Sequence, residues 1–256
     1  MMADSGTGEA SHEELLISLL CDMLAEDRHV AVGAASPIPG AAALLAKAEK
    51  TARRGGRMHV TIIHSRRHNP FTDGSRELFD CAARGLVDSF FLGGVQIDGA
   101  ANINLVGIGD YPAIRKRFPG SFGSALMYYV VPKVILFREE HSPRTLVEKV
   151  DFVSAPGLSA PDVHRPGGPH ALVTGRAVFE WRRDAGTFRL SSFHAGETVE
   201  SIRAQTGFSF DVAESVQETP APSADRLALI RSEIAPKVLS FYPEFAQRVW
   251  GLAPAA

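Results

Sequence analysis

Ser89-Phe90-Phe91-Leu92-Gly93-Gly94-Val95-Gln96-Ile97-Asp98-Gly99-Ala100-Ala101-Asn102-Ile103-Asn104 decides how this chain folds. Residues 89–92 are a short apolar run of the kind that fills a strand buried on both faces. Gly93 and Gly94 follow at once, and glycine lets a backbone turn sharply and approach a neighbour closely. Gln96, Asn102 and Asn104 then present neutral donors and acceptors from one loop. Such a loop is either a structural turn whose side chains satisfy buried backbone groups, or part of a site. The residues by themselves leave both open.

Working outward, the same pattern of strand, loop and helix recurs. Ser11-His12-Glu13-Glu14 has the form of a capping box. Behind it Leu15, Leu16, Leu19, Leu20, Met23 and Leu24 fall on one helical face. Residues 29–32 read as a buried strand, 33–40 as a small-residue loop and 41–49 as an alanine-rich helix. Residues 60–63 read as a strand, 64–74 as a polar loop and 75–83 as a helix. Further strands are expected at 104–108 and 134–137. A strand pair is expected over 172–181 and 187–193, around Asp184-Ala185-Gly186. Helices follow at 198–206 and 224–236. Strands alternating with helices predict an α/β fold with an open, mostly parallel sheet flanked by helices. Residues 1–10 read as a disordered tail, and 11–256 as a single domain.

Composition narrows the function. With 256 residues the chain can bury roughly 70–75% of its unfolded surface. A net charge of −2 gives no basic footprint for nucleic acid and no polybasic membrane patch. No apolar run approaches the ~20 residues of a spanning helix, and the first ten residues lack the form of a signal peptide. Cys21 and Cys81 are too few for a disulfide framework, and two reduced buried thiols fit a cytoplasmic protein. The histidines are scattered without ligand spacing, so no metal is expected.

Two further stretches carry chemistry. Pro119-Gly120-Ser121-Phe122-Gly123-Ser124-Ala125 is a Gly/Ser-rich turn opening a helix, where free N–H groups can face an anion or a thioester oxygen. Residues 138–157 form a charge-rich connection containing Val147-Glu148-Lys149-Val150-Asp151-Phe152 and then Ser154-Ala155-Pro156-Gly157. Alone, one would be a plain turn and the other a solvated loop.

In order and spacing, the three stretches resemble the β subunit of glutaconate CoA-transferase and its relatives in CoA-transferase family I. That family shows G-G-x-Q-x-D-x-x-G-N-x-N, a G-S-G-G-type loop, and V-E-K-V-D-F followed by S-P-G. Gly93, Gly94, Gln96, Asp98, Asn102 and Asn104 match the first, with Ala101 in a glycine position. Gly167-Gly168-Pro169, Val173-Thr174, 194–199 and Thr206-Gly207-Phe208 are similar to its closing elements, so the likeness covers roughly residues 12–240.

The resemblance implies a fold of the sugar-phosphate isomerase/CoA-transferase type, hence a single β-type domain over 11–256. It implies an α-type partner subunit (αβ or α2β2), acyl-CoA and carboxylic acid substrates, and coenzyme A as a carried group with no bound cofactor. It also implies nucleophilic catalysis by a β-subunit glutamate. Substrate or CoA binding would fall to Gly93, Gly94, Gln96, Asn102, Asn104, Gly120, Ser121 and Gly123.

The chain departs from the family at the glutamate. His64-Ser65-Arg66-Arg67-His68-Asn69-Pro70 follows the strand where Glu-Ser-Gly or Glu-Asn-Gly is usual, and His64 stands about where the glutamate should be. Glu77, the nearest downstream, falls in the next helix. Phe122 occupies a position that is usually glycine. A histidine cannot form a glutamyl anhydride, but it can act as a general base. Arg66 and Arg67 can hold a carboxylate or a CoA phosphate. His64, Ser65 and Arg66 are therefore the catalytic candidates, against the plainer reading of a solvated basic surface. The ring-cleaving hydrolases of steroid degradation resemble this family and carry their glutamate on the α-type subunit. A transferase-like subunit, a hydrolase subunit and a non-catalytic scaffold all fit.

Overall fold

The computed structural model describes residues 8–53 and 55–253. In chain order the elements begin with α1 (His12–Met23), β1 (His29–Val32), α2 (Pro37–Ala52), β2 (His59–Ile62), α3 (Ser75–Ala83) and β3 (Ser89–Leu92). Four two-residue strands follow: β4 (Gln96–Ile97), β5 (Ile103–Asn104), β6 (Gly107–Ile108) and β7 (Lys116–Arg117). Then come α4 (Ser124–Val130), β8 (Lys133–Arg138), β9 (Pro169–Thr174), β10 (Ala177–Arg182), β11 (Thr187–Phe193), α5 (Val199–Gln205) and β12 (Asp211–Glu218). The chain closes with α6 (Ala224–Leu229), a π-helical turn (Ile230–Ile234), α7 (Ala235–Leu239) and α8 (Pro243–Trp250). The first seven residues of the expected tail lie outside the described residues; 8–10 have no regular structure.

The described chain forms two compact units. The first takes the residues up to Pro70 together with those from Pro220 on, and the second runs Phe71–Thr219.

In the first unit, β1 and β2 pair in parallel, with Val30 beside Val60 and Val32 beside Ile62. Helix α2 crosses back between them and starts earlier than its alanine run suggests, at Pro37. Pro37 and Pro39 sit in the first turn, where the missing N–H costs nothing. The capping box of α1 forms as expected, Ser11 and Glu14 exchanging bonds with each other's backbone N–H. The buried arc of α1 is shifted relative to the expected stripe. Leu16, Ile17, Leu20 and Cys21 are buried, while Leu15, Leu19 and Met23 lie at the margins. The reason is α2, whose Glu49 faces Cys21. Burial and Glu49 push the Cys21 thiol up to about 12, so it is not a nucleophile.

Ion pairs fasten the C-terminal helices to α1 and α2. Arg226 grips Glu49 through two nitrogens, at 2.8 and 3.0 Å. Arg231 does the same to Glu14, at 2.8 Å from each carboxylate oxygen. Burial pushes the Glu14 carboxyl up, but hydrogen bonds from Arg231 and Ser11 outweigh it and hold the group below the usual carboxylate range. Glu14 is almost fully buried. Arg231→Ala would leave that charge without its partner, and should lower the unfolding free energy by about 3 kcal/mol in a denaturant titration at pH 7. A loss below a few tenths would contradict this.

In the second unit six strands lie side by side in the order β12-β11-β10-β9-β8-β3, apart from the short pairs β4-β5 and β6-β7. β3 pairs with β8 and β8 with β9 in parallel, β9-β10-β11 is antiparallel, and β12 is parallel to β11. The fold is thus α/β with mostly parallel pairing and flanking helices, as the alternation predicts. Three expectations are corrected. Residues 104–108 are no sheet strand: Asn104 Oδ1 accepts the amides of Val106 and Gly107 and ends β5. Residues 172–181 are two strands, broken at Gly175-Arg176, where Thr174 Oγ1 takes the amides of Arg176 and Ala177. The last helix, expected over 224–236, is divided by the π-helical turn and continued by α7 and α8.

An aromatic cluster fills this unit. Phe179 meets Phe210 edge-on at 5.1 Å, and Trp181 meets Phe188 at 5.0 Å. Beside it His141 is buried between Thr174 Oγ1 (2.8 Å) and Thr206 Oγ1 (2.9 Å). Burial, then the Arg176 charge, lower its pKa from 6.5 to about 4. Between those two values the unfolded chain binds the proton and the folded chain does not, so stability is full above 6.5 and falls as the pH drops toward 4. The loss should approach about 3 kcal/mol. In His141→Asn that component disappears. Urea midpoints of the two proteins should therefore converge between pH 7 and 4, and parallel pH profiles would contradict the assignment.

Candidate functional site

In the first unit the carboxyl ends of β1 and β2 lead into loops 33–36 and 63–70, which the parallel register brings out at the same level. Such ends are where open α/β sheets bind ligands. Tyr242, between α7 and α8, holds the first loop: its hydroxyl donates to Ala34 O at 2.7 Å and accepts from Ser36 N at 3.3 Å. Its ring carries His64, stacked at 5.3 Å with planes only 6° apart. Phe241 meets His68 edge-on at 6.0 Å. His64 and Arg66 are exposed, whereas Ser65 is buried. Ser65 Oγ accepts from His68 N, and Ile62 N donates to His68 O, so 62–68 is a closed turn with Ser65 inside it. Burial, then Lys47, Arg67 and Lys237, lower the His68 pKa. The loop is therefore a cationic surface bearing one stacked, accessible imidazole.

Neither Phe241 nor Tyr242 is singled out by the sequence. Both lie far along the chain from the loops they support, Tyr242 being 208 residues from Ala34, and no local pattern links the two places. Glu77 is spent elsewhere. In the second unit its carboxylate takes the amides of Thr72 and Asp73 at 2.5 and 2.8 Å, and these bonds hold its pKa below the usual range.

In the second unit the glycine-rich loop and the charge-rich connection prove to be one structure. Gln96 Oε1 accepts from Asn104 Nδ2 (2.7 Å) and from the amide of Asp151 (3.0 Å). Asp98 takes the amides of Ala100 and Asn102 and the side chain of Asn102. Asn102 Oδ1 accepts the amide of Gly157 at 3.1 Å. Ile97 bridges to Leu146 and Ile103 to Ala155. Gly157 lies so close to Ala100 that a Cβ would stand 2.0 Å from its carbonyl oxygen. Gly94 is equally obligatory, its Cβ direction being filled by Ile103 and Gln96 O. The side chains of Gln96, Asn102 and Asn104 thus hold backbone, and the loop surface is what they position. Asn104→Ala would strip four bonds from a fully buried group. It should cost about 2–4 kcal/mol, read as a lower denaturant midpoint with unchanged far-UV circular dichroism.

The second loop, 119–123, opens α4. Gly120 has φ +99° and Phe122 φ +41°. The left-handed region suits glycine and strains a bulky side chain. Phe122 is 86% exposed, with one face tilted on Phe79. That same Phe79 ring occupies the space a Cβ of Gly123 would need. The Ser121 hydroxyl has no partner among the described residues. Among those residues no three His, Cys, Asp or Glu side chains converge as metal ligands, and no helix is long and apolar enough to cross a membrane.

A model of the coenzyme A transferase family matches residues 18–205, well over half of the sequence. The chain belongs to the coenzyme A transferase family. It is 34% identical over 154 residues to the B subunit of 3-oxoadipate CoA-transferase from Pseudomonas knackmussii, covering 58% of this chain and 59% of that one. Over 153 residues it is 32% identical to the B subunit of glutaconate CoA-transferase from Acidaminococcus fermentans (57% and 56% covered). The chain thus spans less than two thirds of the length of these relatives. A cholesterol ring-cleaving hydrolase IpdB subunit of Rhodococcus jostii is 29% identical over 174 residues (64% and 66%). In three dimensions the A. fermentans glutaconate coenzyme A-transferase superposes with a TM-score of 0.76 at 22% identity, covering 91% of this chain and 97% of that one. That likeness is one of fold. A variant of the decarboxylase AibA/AibB is 26% identical, with a TM-score of 0.68 and coverage of 86% and 94%. The motif resemblances to the glutaconate CoA-transferase β-type chain and to the ring-cleaving hydrolase subunits are both found again.

Proposed function

We propose that this chain is the β-type subunit of a heteromeric, CoA-transferase-like enzyme that acts on acyl-CoA thioesters, assembled with an α-type subunit as αβ or α2β2. The family match over residues 18–205 is the observation that carries this reading. In it, coenzyme A is a carried group, the acceptor is a carboxylic acid, and the complex works in the cytoplasm. The backbone of loops 93–104 and 119–123 offers N–H groups to the thioester oxygen at Gly93, Gly94, Gly120, Ser121 and Gly123, with open space beside Gly120. Gln96, Asn102 and Asn104 serve by fixing that backbone. His64, in the position expected of the glutamate, cannot become an acyl anhydride. It acts instead as a general base, oriented by Tyr242. Arg66 holds the substrate carboxylate, and Ser65 keeps the turn closed.

One observation favours a second reading, hydrolysis with the carboxylate on the α-type subunit. An exposed imidazole in place of a carboxylate suits activation of water, and a ring-cleaving hydrolase subunit is among the relatives. The experiment is to co-purify the chain with its partner, incubate with an acyl-CoA, trap with borohydride and map any reduced glutamate. A reduced glutamate establishes transfer and names its subunit; consumption of thioester with water as sole acceptor establishes hydrolysis. His64→Ala should lower kcat by about 100-fold or more with the complex intact, and Arg66→Ala should mainly raise KM. Unchanged rates in both variants would leave the chain a scaffold.

A further inference from the structure

Loop 119–123 of the second unit holds a bulky residue where the backbone calls for glycine. Phe122 has φ +41°, between Gly120 at φ +99° and Gly123 at φ −90°. Ser124 N donates to Ser121 O at 2.7 Å and closes the turn around it. A Cβ in the left-handed region is strained, and strain of that kind persists where a site uses it. Folding returns little for it: Phe122 is 86% exposed, so few of its apolar atoms leave water. Glycine would make the same turn without the strain. What phenylalanine adds to this loop is an accessible aromatic surface.

That surface is held in place. Phe79, on α3, tilts against the Phe122 ring at 5.7 Å between centroids and 52° between planes. Phe79 in turn presses on the loop backbone, so closely that a Cβ on Gly123 would stand 1.9 Å from its Cζ. The segment around the ring is uncharged: from Phe118 to Pro132 there is no acidic or basic residue. Leu126, in the first turn of α4, adds a second exposed apolar side chain. Phe122 is also the residue between Ser121 and Gly123, whose amides meet the thioester oxygen in the function proposed above. The acyl group is bonded to the carbonyl that carries this oxygen. Every CoA thioester shares the CoA moiety and only the acyl group differs, so a side chain that costs stability at this place serves to choose among acyl groups.

We propose that Phe122 is a specificity-determining residue: its ring, backed by Phe79, lies against the acyl group and selects a ringed apolar acyl group over a short one or one bearing a second carboxylate. An aromatic face packs well on a flat or ringed apolar group. A wall without a counter-charge leaves a carboxylate unpaired as it loses water. This rests on the reading of the chain as an acyl-CoA-acting subunit and names the substrate class of that site.

The test measures thioester consumption by the chain co-purified with its partner, on cyclohexanecarbonyl-CoA, acetyl-CoA and succinyl-CoA, with acetate present so that transfer and hydrolysis both register. The wild-type complex should favour the ring-bearing thioester in kcat/KM by about tenfold or more. Phe122→Gly should lower that preference about tenfold, and Phe122→Trp should keep it. Phe122→Gly should melt within about 3 °C of wild type or above it, since the turn loses its strain. A fall well beyond that makes the ring a packing element and overturns the proposal. Loss of the partner from Phe122→Gly on size-exclusion chromatography makes it a subunit contact and overturns it too. An unchanged ratio between the three thioesters overturns it while leaving the subunit reading intact. If the wild-type complex consumes none of the three, both readings fall together.

Discussion

The carboxamide of Asn104 is the contact on which the second unit's functional surface depends. It has no exposure to water, and it joins Gln96, the amides of Val106 and Gly107, and the carbonyl of Gly107. Through Gln96 it reaches Asp151, and Asp98 and Asn102 complete the tie to Gly157. A buried network of this kind pins one backbone arrangement, since each unmade bond costs more than a made one contributes. Two strands, a turn and the foot of a hairpin hang from it.

That dependence explains what was legible in the sequence. The capping box of α1, the apolar runs of β1 and β3, and the limits of α3 follow from local chemistry and came out close to the residue. The polar motif at 93–104 was visible as a motif, but whether its side chains face a ligand or the backbone was not. Their partners at 151 and 157 lie some fifty residues away. β12 escaped because its burial shows no alternation, leaving no period to detect. The hairpin at 107–117 was hidden by its brevity, since two-residue strands carry no pattern at all.

In the first unit the limits are of another kind. The turn 62–68 is dictated by its own backbone bonds, yet the orientation of His64 is set by Tyr242, and the buried charge of Glu14 by Arg231. These pairs join opposite ends of the sequence. A residue-by-residue reading registers a histidine after a strand and an arginine in a helix, and it has no means of bringing them to their partners. Chemistry carried by side chains is therefore less legible here than the scaffold that bears it.

The division of the first unit between the chain's two ends has a consequence for synthesis. When Pro70 leaves the ribosome, β1, β2 and α2 lack the helices that seal Glu14, Glu49 and the loop under His64. About 150 residues must still be made before those helices exist, which at ordinary elongation rates takes roughly 8–30 s. Throughout that interval the parallel pair is without its C-terminal cover, whereas the second unit, contiguous in sequence, can close as soon as it is complete. On that order of synthesis the surface bearing His64 can be completed only after the second unit has been made.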